Sequence, residues 1–207
     1  MKVYGYPGTR SARVVWALEE AGAEYEYVHV NLPKGAARQP DYLSVNPGGK
    51  VPSLVDADLT LTESAAICLY IARKYPAAHL MPSATSAEHA RLEQWCFFAL
   101  TELEQPLWTL AKHTFALPEK LRVPAIMDTA RWEFVRAAGV LAKGLGDLPY
   151  IGGNAFSVAD ILLANTLEWA RSRKVELGHA SLDAYTDRML SRPAWTRALQ
   201  REQQGVG

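Results

Sequence analysis

The spacing of apolar residues divides the chain into a first part with mixed strand and helix character and a second part that is helical. Alternating apolar and β-branched residues indicate short strands, whereas apolar residues three and four positions apart indicate helices. In the first part Val14, Val15 and Leu18 share one face of a predicted helix, which Gly22 follows. The predicted elements are strand Lys2–Tyr6, helix Ser11–Ala21, strand Tyr25–Asn31, a helical turn over Asp41–Asn46, strands Ser53–Asp56 and Leu59–Leu61, and helix Glu63–Tyr75.

This order of elements predicts an α/β domain in which helices cover both faces of one sheet. Pro76 stops the last of these helices, and the prolines and serines over 76–86 indicate an inter-domain linker. We therefore place a first domain at 1–76, a linker at 77–85 and a second, all-helical domain at 86–207.

The second part has the apolar periodicity of a helical domain. A first long helix is expected to kink or end at Pro106, and a second is predicted from Pro118 to Lys143. Ser157-Val158-Ala159-Asp160 has the pattern of a capping box at the start of a buried helix over Val158–Trp169. The remaining predictions are a loop that contains Gly144, Gly146, Gly152 and Gly153, and short helices over Leu182–Ser191 and Ala194–Arg201.

Composition and charge argue against several classes of protein. Hydrophobic residues make up 49% of the 207 residues, enough for a core, and 22 basic residues balance 22 acidic ones. A net charge of zero gives no overall attraction to nucleic acid or to an anionic membrane, so neither is an expected partner. No apolar run is long enough to span a bilayer, and no signal peptide precedes the first strand. These features favour a cytoplasmic protein.

The two cysteines, Cys68 and Cys96, lie far apart within helical patterns. They form neither a CxxC pair nor a zinc-binding pattern, so no metal site is indicated. We interpret both as buried thiols, which fits a reducing compartment.

The most informative motif is the glycine turn Gly48-Gly49-Lys50-Val51-Pro52, which leads into an apolar strand. A few residues later Glu63 and Ser64 provide a carboxylate and a hydroxyl where a strand gives way to a helix. Val51 can offer main-chain groups, Lys50 a cation, and the helix start at Ser64 the positive end of a helix dipole. If both segments face one groove, they can hold a short acidic peptide, and glutathione is the leading candidate.

In this order and spacing, the motifs resemble those of the cytosolic glutathione S-transferases over essentially the whole chain. The matching features are the Lys50-Val51-Pro52 turn, Glu63-Ser64, the linker position and the Ser157-x-x-Asp160 box. Arg13–Glu20 on the first helix is most similar to bacterial, theta-like and phi-like members. The resemblance implies an α/β thioredoxin-like N-terminal domain plus an all-α C-terminal helical domain.

The resemblance also implies a glutathione site. In the family the proline that matches Pro52 is cis, and the main chain of Val51 pairs with the cysteinyl part of the ligand. Glu63-Ser64 would bind the γ-glutamyl end, and Lys50 and Arg38 would face the glycyl carboxylate. The residues alone also permit a trans bond before Pro52, a plain helix cap at Glu63-Ser64, and solvated charges at the two basic residues.

A hydroxyl donor is needed because the thiol of glutathione reacts as a thiolate, and an unperturbed thiol has a pKa of about 8.5. We expect this donor in the turn over 6–11, where Thr9 and Ser11 are both candidates and Tyr4 on the first strand is a third. Either hydroxyl in the turn can instead cap the first helix. Relatives that use a cysteine would place it at Arg10, so that chemistry is absent from this turn.

The activity that the resemblance implies is conjugation of glutathione to hydrophobic electrophiles in detoxification, with no cofactor beyond glutathione as co-substrate. It also implies a two-fold homodimer. The alternatives are a glutathione-dependent peroxidase, reductase or isomerase, and a non-catalytic binding or interaction module of the same fold. Aromatic residues of the helical domain can contribute to an electrophile site, although their spacing assigns most of them to the core: Trp95, Phe97, Phe98, Trp108, Phe115 and Trp169.

Overall fold

The computed structural model describes residues 1–204. Its strands are β1 (Lys2–Gly5), β2 (Glu26–His29), β3 (Ser53–Asp56) and β4 (Leu59–Thr62). Its α-helices are α1 (Ser11–Glu20), α2 (Pro40–Val45), α3 (Ser64–Lys74), α4 (Ala87–Phe98), α5 (Glu104–Ala111), α6 (Met127–Leu145), α7 (Val158–Ser172), α8 (Ala180–Leu190) and α9 (Pro193–Gln203). Every strand and helix predicted for the first part of the chain is present, with ends within one or two residues of the prediction.

The four strands form one mixed sheet in the order β2-β1-β3-β4. β1 and β2 are parallel and are joined by α1, whereas β3 pairs antiparallel with both β1 and β4. Lys2 lies opposite Glu26 in this register, and their side chains form an exposed ion pair of 3.1 Å. This topology confirms the predicted α/β, thioredoxin-like first domain.

Side chains of β1 alternate between the two faces of the sheet. Gly5 lies on the face that meets α1, since a Cβ at this position would be 2.8 Å from the Cβ of Ser11. Tyr4 points to the opposite face, where its ring centroid lies 5.8 Å from that of Tyr42 in α2. Helices therefore cover both faces, as the order of elements predicts.

Helix α1 is buried along most of its length, from Ser11 to Leu18. Its carboxyl-terminal carboxylates bind two arginines near α9: Glu20 contacts Arg192 at 2.6 Å and Glu19 contacts Arg197 at 2.9 Å. The last helix of the chain is thereby fixed to the first helix.

The chain forms two compact units. The first contains Met1–Met81 together with the described residues from Leu190 to Gln204, and the second is Pro82–Met189. The boundaries at 1–76, 77–85 and 86–207 remain a prediction. The structure additionally shows that α9 groups with the sheet. The sequence carries no local sign of this grouping, because it depends on contacts between segments far apart in the chain.

The first long helix of the second unit departs twice from α-helical geometry. Between α4 and α5 the segment Ala99–Leu103 is π-helical, and Lys112–Ala116 after α5 is π-helical as well. The helix continues through the buried Pro106 within α5. The disruption expected at this proline therefore takes the form of a π-helical turn just before it, which suits a residue that has no N–H to donate.

The predicted helix from Pro118 to Lys143 begins later than expected. Helix α6 starts at Met127, after a 3₁₀ turn over Pro124–Ile126. The predicted start was wrong because a proline disfavours helical geometry in the residue before it, and Val123 is extended with φ −122° and ψ 94°.

Gly144 belongs to α6 and not to the predicted glycine loop. A Cβ at this position would lie 2.4 Å from ring atoms of Trp95 in α4. The loop assignment was wrong. A glycine is needed here because the ring of Trp95 comes too close for a side chain, and not because the chain turns. Gly146, which has a positive φ of 50°, follows the end of the helix.

The predicted capping box at the start of α7 is confirmed. The carboxylate of Asp160 accepts hydrogen bonds from the N–H and the hydroxyl of Ser157 at 2.9 Å each. It also accepts from the N–H of Ile151 at 2.9 Å and from the hydroxyl of Tyr185 at 2.7 Å. Burial raises the pKa of Asp160, and these four donors oppose that effect.

Cys68 in α3 and Cys96 in α4 are both buried, and no disulfide joins them. Their interpretation as buried thiols is confirmed. None of the helices within residues 1–204 is long and apolar enough to cross a membrane.

Candidate functional site

The turn over Gly48–Pro52 is held from behind by two buried side chains. The carbonyl oxygen of Lys50 accepts hydrogen bonds from the Tyr42 hydroxyl at 2.6 Å and from Asn46 Nδ2 at 2.7 Å. A third hydrogen bond in the turn runs from the N–H of Gly48 to Asn46 Oδ1 at 2.9 Å. Burial raises the pKa of Tyr42, which keeps this hydroxyl protonated as a donor.

The peptide bond between Val51 and Pro52 is cis, as the family resemblance implies. The side chain of Val51 packs against the buried cluster of Val30, Ala37 and Tyr42. Within residues 1–204 the structure shows no hydrogen bond to the N–H or the C=O of Val51. The turn therefore presents one main-chain donor and one acceptor that another peptide can pair with.

The start of α3 combines an exposed carboxylate with a buried hydroxyl. Glu63 precedes the helix with a positive φ of 65°, a conformation that costs free energy in a residue other than glycine. Ser64 is the first residue of the helix and is 7% exposed. Strained residues of this kind cluster at ligand sites, which is consistent with the role predicted for Glu63.

A buried arginine joins the start of α3 to α1. Arg13 is 1% exposed, and its Nη1 donates to Ser64 Oγ at 3.3 Å. Its carbonyl oxygen accepts a weak hydrogen bond from Cys68 Sγ at 3.5 Å. The sequence pattern places Arg13 on the first helix but does not predict this contact. The available signal was a permanently charged side chain directly before the apolar residues Val14 and Val15.

Two predicted cationic residues lie close to the glycine turn. Lys50 is exposed, and Arg38 ends a 3₁₀ turn over Ala36–Arg38. A Cβ at Gly49, which has a positive φ of 57°, would lie 2.8 Å from Arg38 Nη1. The Arg38 guanidinium is therefore packed against Gly49, the residue before Lys50 in the turn.

The hydroxyls of Thr9 and Ser11 are hydrogen-bonded to each other at 2.6 Å. Thr9 Oγ1 donates to the carbonyl oxygen of Tyr6 at 2.7 Å, so its single proton is committed there and Ser11 donates the shared bond. Ser11 Oγ in turn accepts from the N–H of Tyr6 at 3.1 Å. The pair closes the turn between β1 and α1.

The three candidate donors differ in exposure and surroundings. Ser11 is fully buried, whereas Thr9 is half-buried. Tyr4 is half-buried, and its ring lies beside Tyr42 on the face of the sheet away from α1. Of the two hydroxyls in the turn, that of Thr9 therefore belongs to the more exposed residue.

All predicted site residues belong to the first unit: Thr9, Ser11, Arg38, Lys50, Val51, Pro52, Glu63 and Ser64. Arg13 links the helix behind Thr9 and Ser11 to Ser64, and the Gly49 contact links Arg38 to the turn. Their roles in binding and catalysis remain predictions.

Comparisons with known proteins agree with the fold. The family model for the N-terminal domain of glutathione S-transferase matches residues 1–73, and the model for the C-terminal domain matches residues 124–201. The disulfide-bond oxidoreductase YfcG of Escherichia coli K12 is 32% identical, over 98% of this chain and 96% of that protein. Glutathione S-transferase GstA of Escherichia coli O157:H7 is 31% identical, over 98% of each chain.

A sphingomonad glutathione S-transferase solved as a complex with glutathione superposes with a TM-score of 0.86. It is 35% identical, and the match covers 100% of both chains. Because the family models match most of the chain and the relatives match almost all of it, the chain belongs to the glutathione S-transferase family.

Proposed function

We propose that this protein is a glutathione transferase, which conjugates the thiolate of glutathione to hydrophobic electrophiles. The observation that carries the proposal is the unpaired main chain of Val51 in the turn fixed by Tyr42 and Asn46. An extended tripeptide can add to this edge through two main-chain hydrogen bonds. The solved complex of the sphingomonad relative with glutathione supports the choice of ligand.

The charges around the turn suit the two ends of glutathione. Lys50 and Arg38 offer cations to the glycyl carboxylate, and Glu63 offers a carboxylate to the γ-glutamyl amino group. Ser64 adds a helix amino terminus, which favours the γ-glutamyl carboxylate.

We assign activation of the thiol to Thr9 in preference to Ser11, because Thr9 is half-buried and Ser11 is fully buried. Thr9 would exchange its bond to the Tyr6 carbonyl for one to the sulfur, which needs only rotation of a hydroxyl. A charge-assisted hydrogen bond worth about 1.4 kcal/mol lowers the thiol pKa by about one unit.

Substitution of Thr9 tests this assignment. We expect Thr9→Ala to raise the thiol pKa of bound glutathione by about one unit and to lower turnover near neutral pH, with glutathione affinity little changed. Absorbance of the thiolate against pH measures the shift. Thr9→Ser, which keeps the hydroxyl, is the matched control. A shift in Ser11→Ala with none in Thr9→Ala would transfer the role to Ser11.

A second candidate reaction is reduction of disulfides with glutathione, because the relative YfcG is named a disulfide-bond oxidoreductase. A mixed disulfide on the protein needs an accessible thiol, but Arg10 stands where such a cysteine would lie and both cysteines are buried. Steady-state rates with an aryl halide, a hydroperoxide and a mixed disulfide separate the candidates. We expect the highest activity with the aryl halide.

Calorimetry with glutathione tests whether the protein is an enzyme of this class or a non-catalytic module of the same fold. We expect saturable binding, and Glu63→Gln is expected to weaken it about tenfold, since a carboxylate bound to an ammonium is lost. An absence of heat at millimolar glutathione would favour the binding module. With the transferase function we also propose a homodimer, a cytoplasmic location and a role in detoxification.

A further inference from the structure

The last turn of α9 carries a carboxylic acid that is buried where this helix packs on β2. Glu202 is 1% exposed and lies near the hydroxyl of Tyr27. Within residues 1–204 neither Glu202 Oε1 nor this hydroxyl has a hydrogen-bond partner. Buried polar atoms in native proteins are nearly always hydrogen-bonded, so two unpaired ones at one place require an explanation.

The segments that pack against Glu202 present charged and titratable groups, but none within the described part of the chain forms an ion pair with it. The carboxylates of α1 and the arginines around α9 bind one another or an aromatic ring, as Glu20 with Arg192, Glu19 with Arg197, and Arg201 over Tyr25. On β2, Glu26 is exposed and paired with Lys2, and His29 Nε2 is buried without a hydrogen-bond partner among the described residues. A carboxylate at position 202 would therefore be buried without a bonded cation.

The position of Glu202 in the helix adds to the cost of a charge. It is the second-last residue of α9, at the end where the helix dipole is negative and repels a carboxylate. Transfer of a carboxylate out of water is itself unfavourable, and burial raises the pKa of Glu202 to about 8. The neutral acid can therefore remain against β2, whereas the carboxylate is stabilised by moving into water.

The rest of α9 is attached by contacts that do not involve Glu202. Near its amino-terminal end the ring centroid of Trp195 lies 4.9 Å from that of Trp16, and Arg192 and Arg197 bind the carboxylates of α1. Terminal segments also open at a lower free energy than the body of a folded protein. The last turn can thus leave β2 while the remainder of the helix stays on α1.

We propose that Glu202 is a pH-sensitive latch, which as a neutral acid holds the last turn of α9 on β2 and as a carboxylate releases it. In the closed turn the acid keeps its proton up to about pH 8, whereas in an open, solvated turn it has lost the proton above about pH 5. The opening equilibrium constant therefore rises with pH between these values and is constant above the upper one. Glu202 and Tyr27 do not belong to the predicted glutathione site, so the latch does not depend on the proposed transferase function.

Amide hydrogen exchange, followed by NMR on the full chain and expressed as protection factors, measures this opening. We expect the protection factors of the Glu202 and Gln203 amides to fall about tenfold per pH unit from about pH 5 to about pH 8 and to level off above it. They should also be at least about tenfold lower than that of Trp16 in the buried α1, because the turn opens without the rest of the molecule.

Two variants and a control identify the acid. Glu202→Gln is neutral at every pH, so its last turn is expected to keep one protection factor across the range. Tyr27→Phe removes the hydroxyl that favours the carboxylate in the closed turn, and it is expected to extend the decline to higher pH. It also provides a test if the first variant fails to fold. Glu26→Gln, at an exposed position on the same strand, should keep the wild-type profile.

Three results would overturn the latch. Equal protection of the last turn and of Trp16 would mean that these amides exchange only when the whole molecule unfolds. Protection of the wild-type last turn that does not change with pH would exclude a titrating latch. The same decline in Glu202→Gln as in the wild type would assign it to another group, of which His29 is the buried one nearby on β2.

Discussion

At the scale of single residues, buried polar side chains position the segments predicted to bind glutathione. Asn46 and Tyr42 fix one carbonyl of the glycine turn, and Arg13 fixes the hydroxyl at the start of α3. Each of these groups is costly to bury without its partner. The segments predicted to bind glutathione are therefore held in place by buried side chains.

The cysteines provide a direct prediction. Burial raises the pKa of the Cys96 thiol to about 12, and Cys68 is fully buried. Because the thiolate is the reactive form, we expect neither residue to react with dithiodipyridine in the native protein near neutral pH. Both should react after unfolding in urea, as read by pyridinethione absorbance. Rapid release of pyridinethione from the native protein would show an accessible thiol, which a mixed-disulfide mechanism needs.

A buried carboxylic acid in α9 gives a pH-dependent prediction. Glu202 is 1% exposed near the hydroxyl of Tyr27, and burial raises its pKa to about 8. From about pH 5 to about pH 8 the folded protein keeps this proton, whereas the unfolded chain has lost it. The free energy of unfolding therefore falls with rising pH over this range, by at most about 1.4 kcal/mol per pH unit.

Substitution of Glu202 isolates this effect. Glu202→Gln is neutral at every pH, so we expect it to remove the decline and to be at least as stable as the wild type near the upper end of the range. Urea denaturation at several pH values measures the difference. Glu26→Gln, at an exposed position, is the control and should keep the wild-type slope. Parallel curves for Glu202→Gln and wild type would contradict the buried acid.

At the scale of elements, the start of α7 is fixed by one buried carboxylate. Asp160 caps α7 and also binds Ile151 and Tyr185, so one carboxylate joins a loop and α8 to the start of a buried helix. Apolar burial is non-directional, whereas the hydrogen bonds to Asp160 are directional. They therefore orient the start of α7 relative to the loop and α8.

Removal of this carboxylate should be strongly destabilising. Asp160→Ala leaves buried donors without an acceptor, and we expect the free energy of unfolding to fall by about 3 kcal/mol. Asp160→Asn should cost less, because it keeps one oxygen and burial already disfavours the charge. Urea denaturation ranks the variants, with the exposed Asp147→Ala as control. Equal stability of Asp160→Ala and wild type would show that the box contributes nothing.

At the scale of the whole molecule, exposed apolar residues on α6 support the proposed dimer. Trp132, Val135 and Val140 are 58%, 53% and 53% exposed. At about 100° per residue they fall on one side of the helix, and exposed apolar side chains grouped on one face are a feature of protein interfaces. A second copy of the chain is the partner that the family resemblance implies.

Sedimentation velocity tests the dimer. We expect the wild type to sediment as a species of twice 22.9 kDa, and Trp132→Glu to shift it toward the monomer, because a charge would be buried at the interface. Leu148→Glu introduces the same charge at an exposed leucine outside α6, and it should leave the sedimenting mass unchanged. A monomeric wild type at all concentrations would refute the homodimer.

Much of the fold could be predicted because its signals are local. Alternation and helical spacing located the elements of the first part, and the Ser157–Asp160 pattern located the start of α7. The late start of α6 also has a local signal, because Pro124 disfavours helical geometry at Val123. The helical position of Gly144 could not be predicted in this way, since it depends on a tryptophan from another helix.

By itself the sequence determined the order of elements, the family and the segments that carry the predicted glutathione contacts, since each of these depends on residues close together in the chain. Only the tertiary structure decided that Arg13 meets Ser64 and that α9 belongs with the sheet. It also distinguished Thr9 from the buried Ser11. Apolar periodicity in a sequence indicates which face of an element is buried. The partner of a given polar side chain depends on how distant segments pack, and no local pattern specifies it.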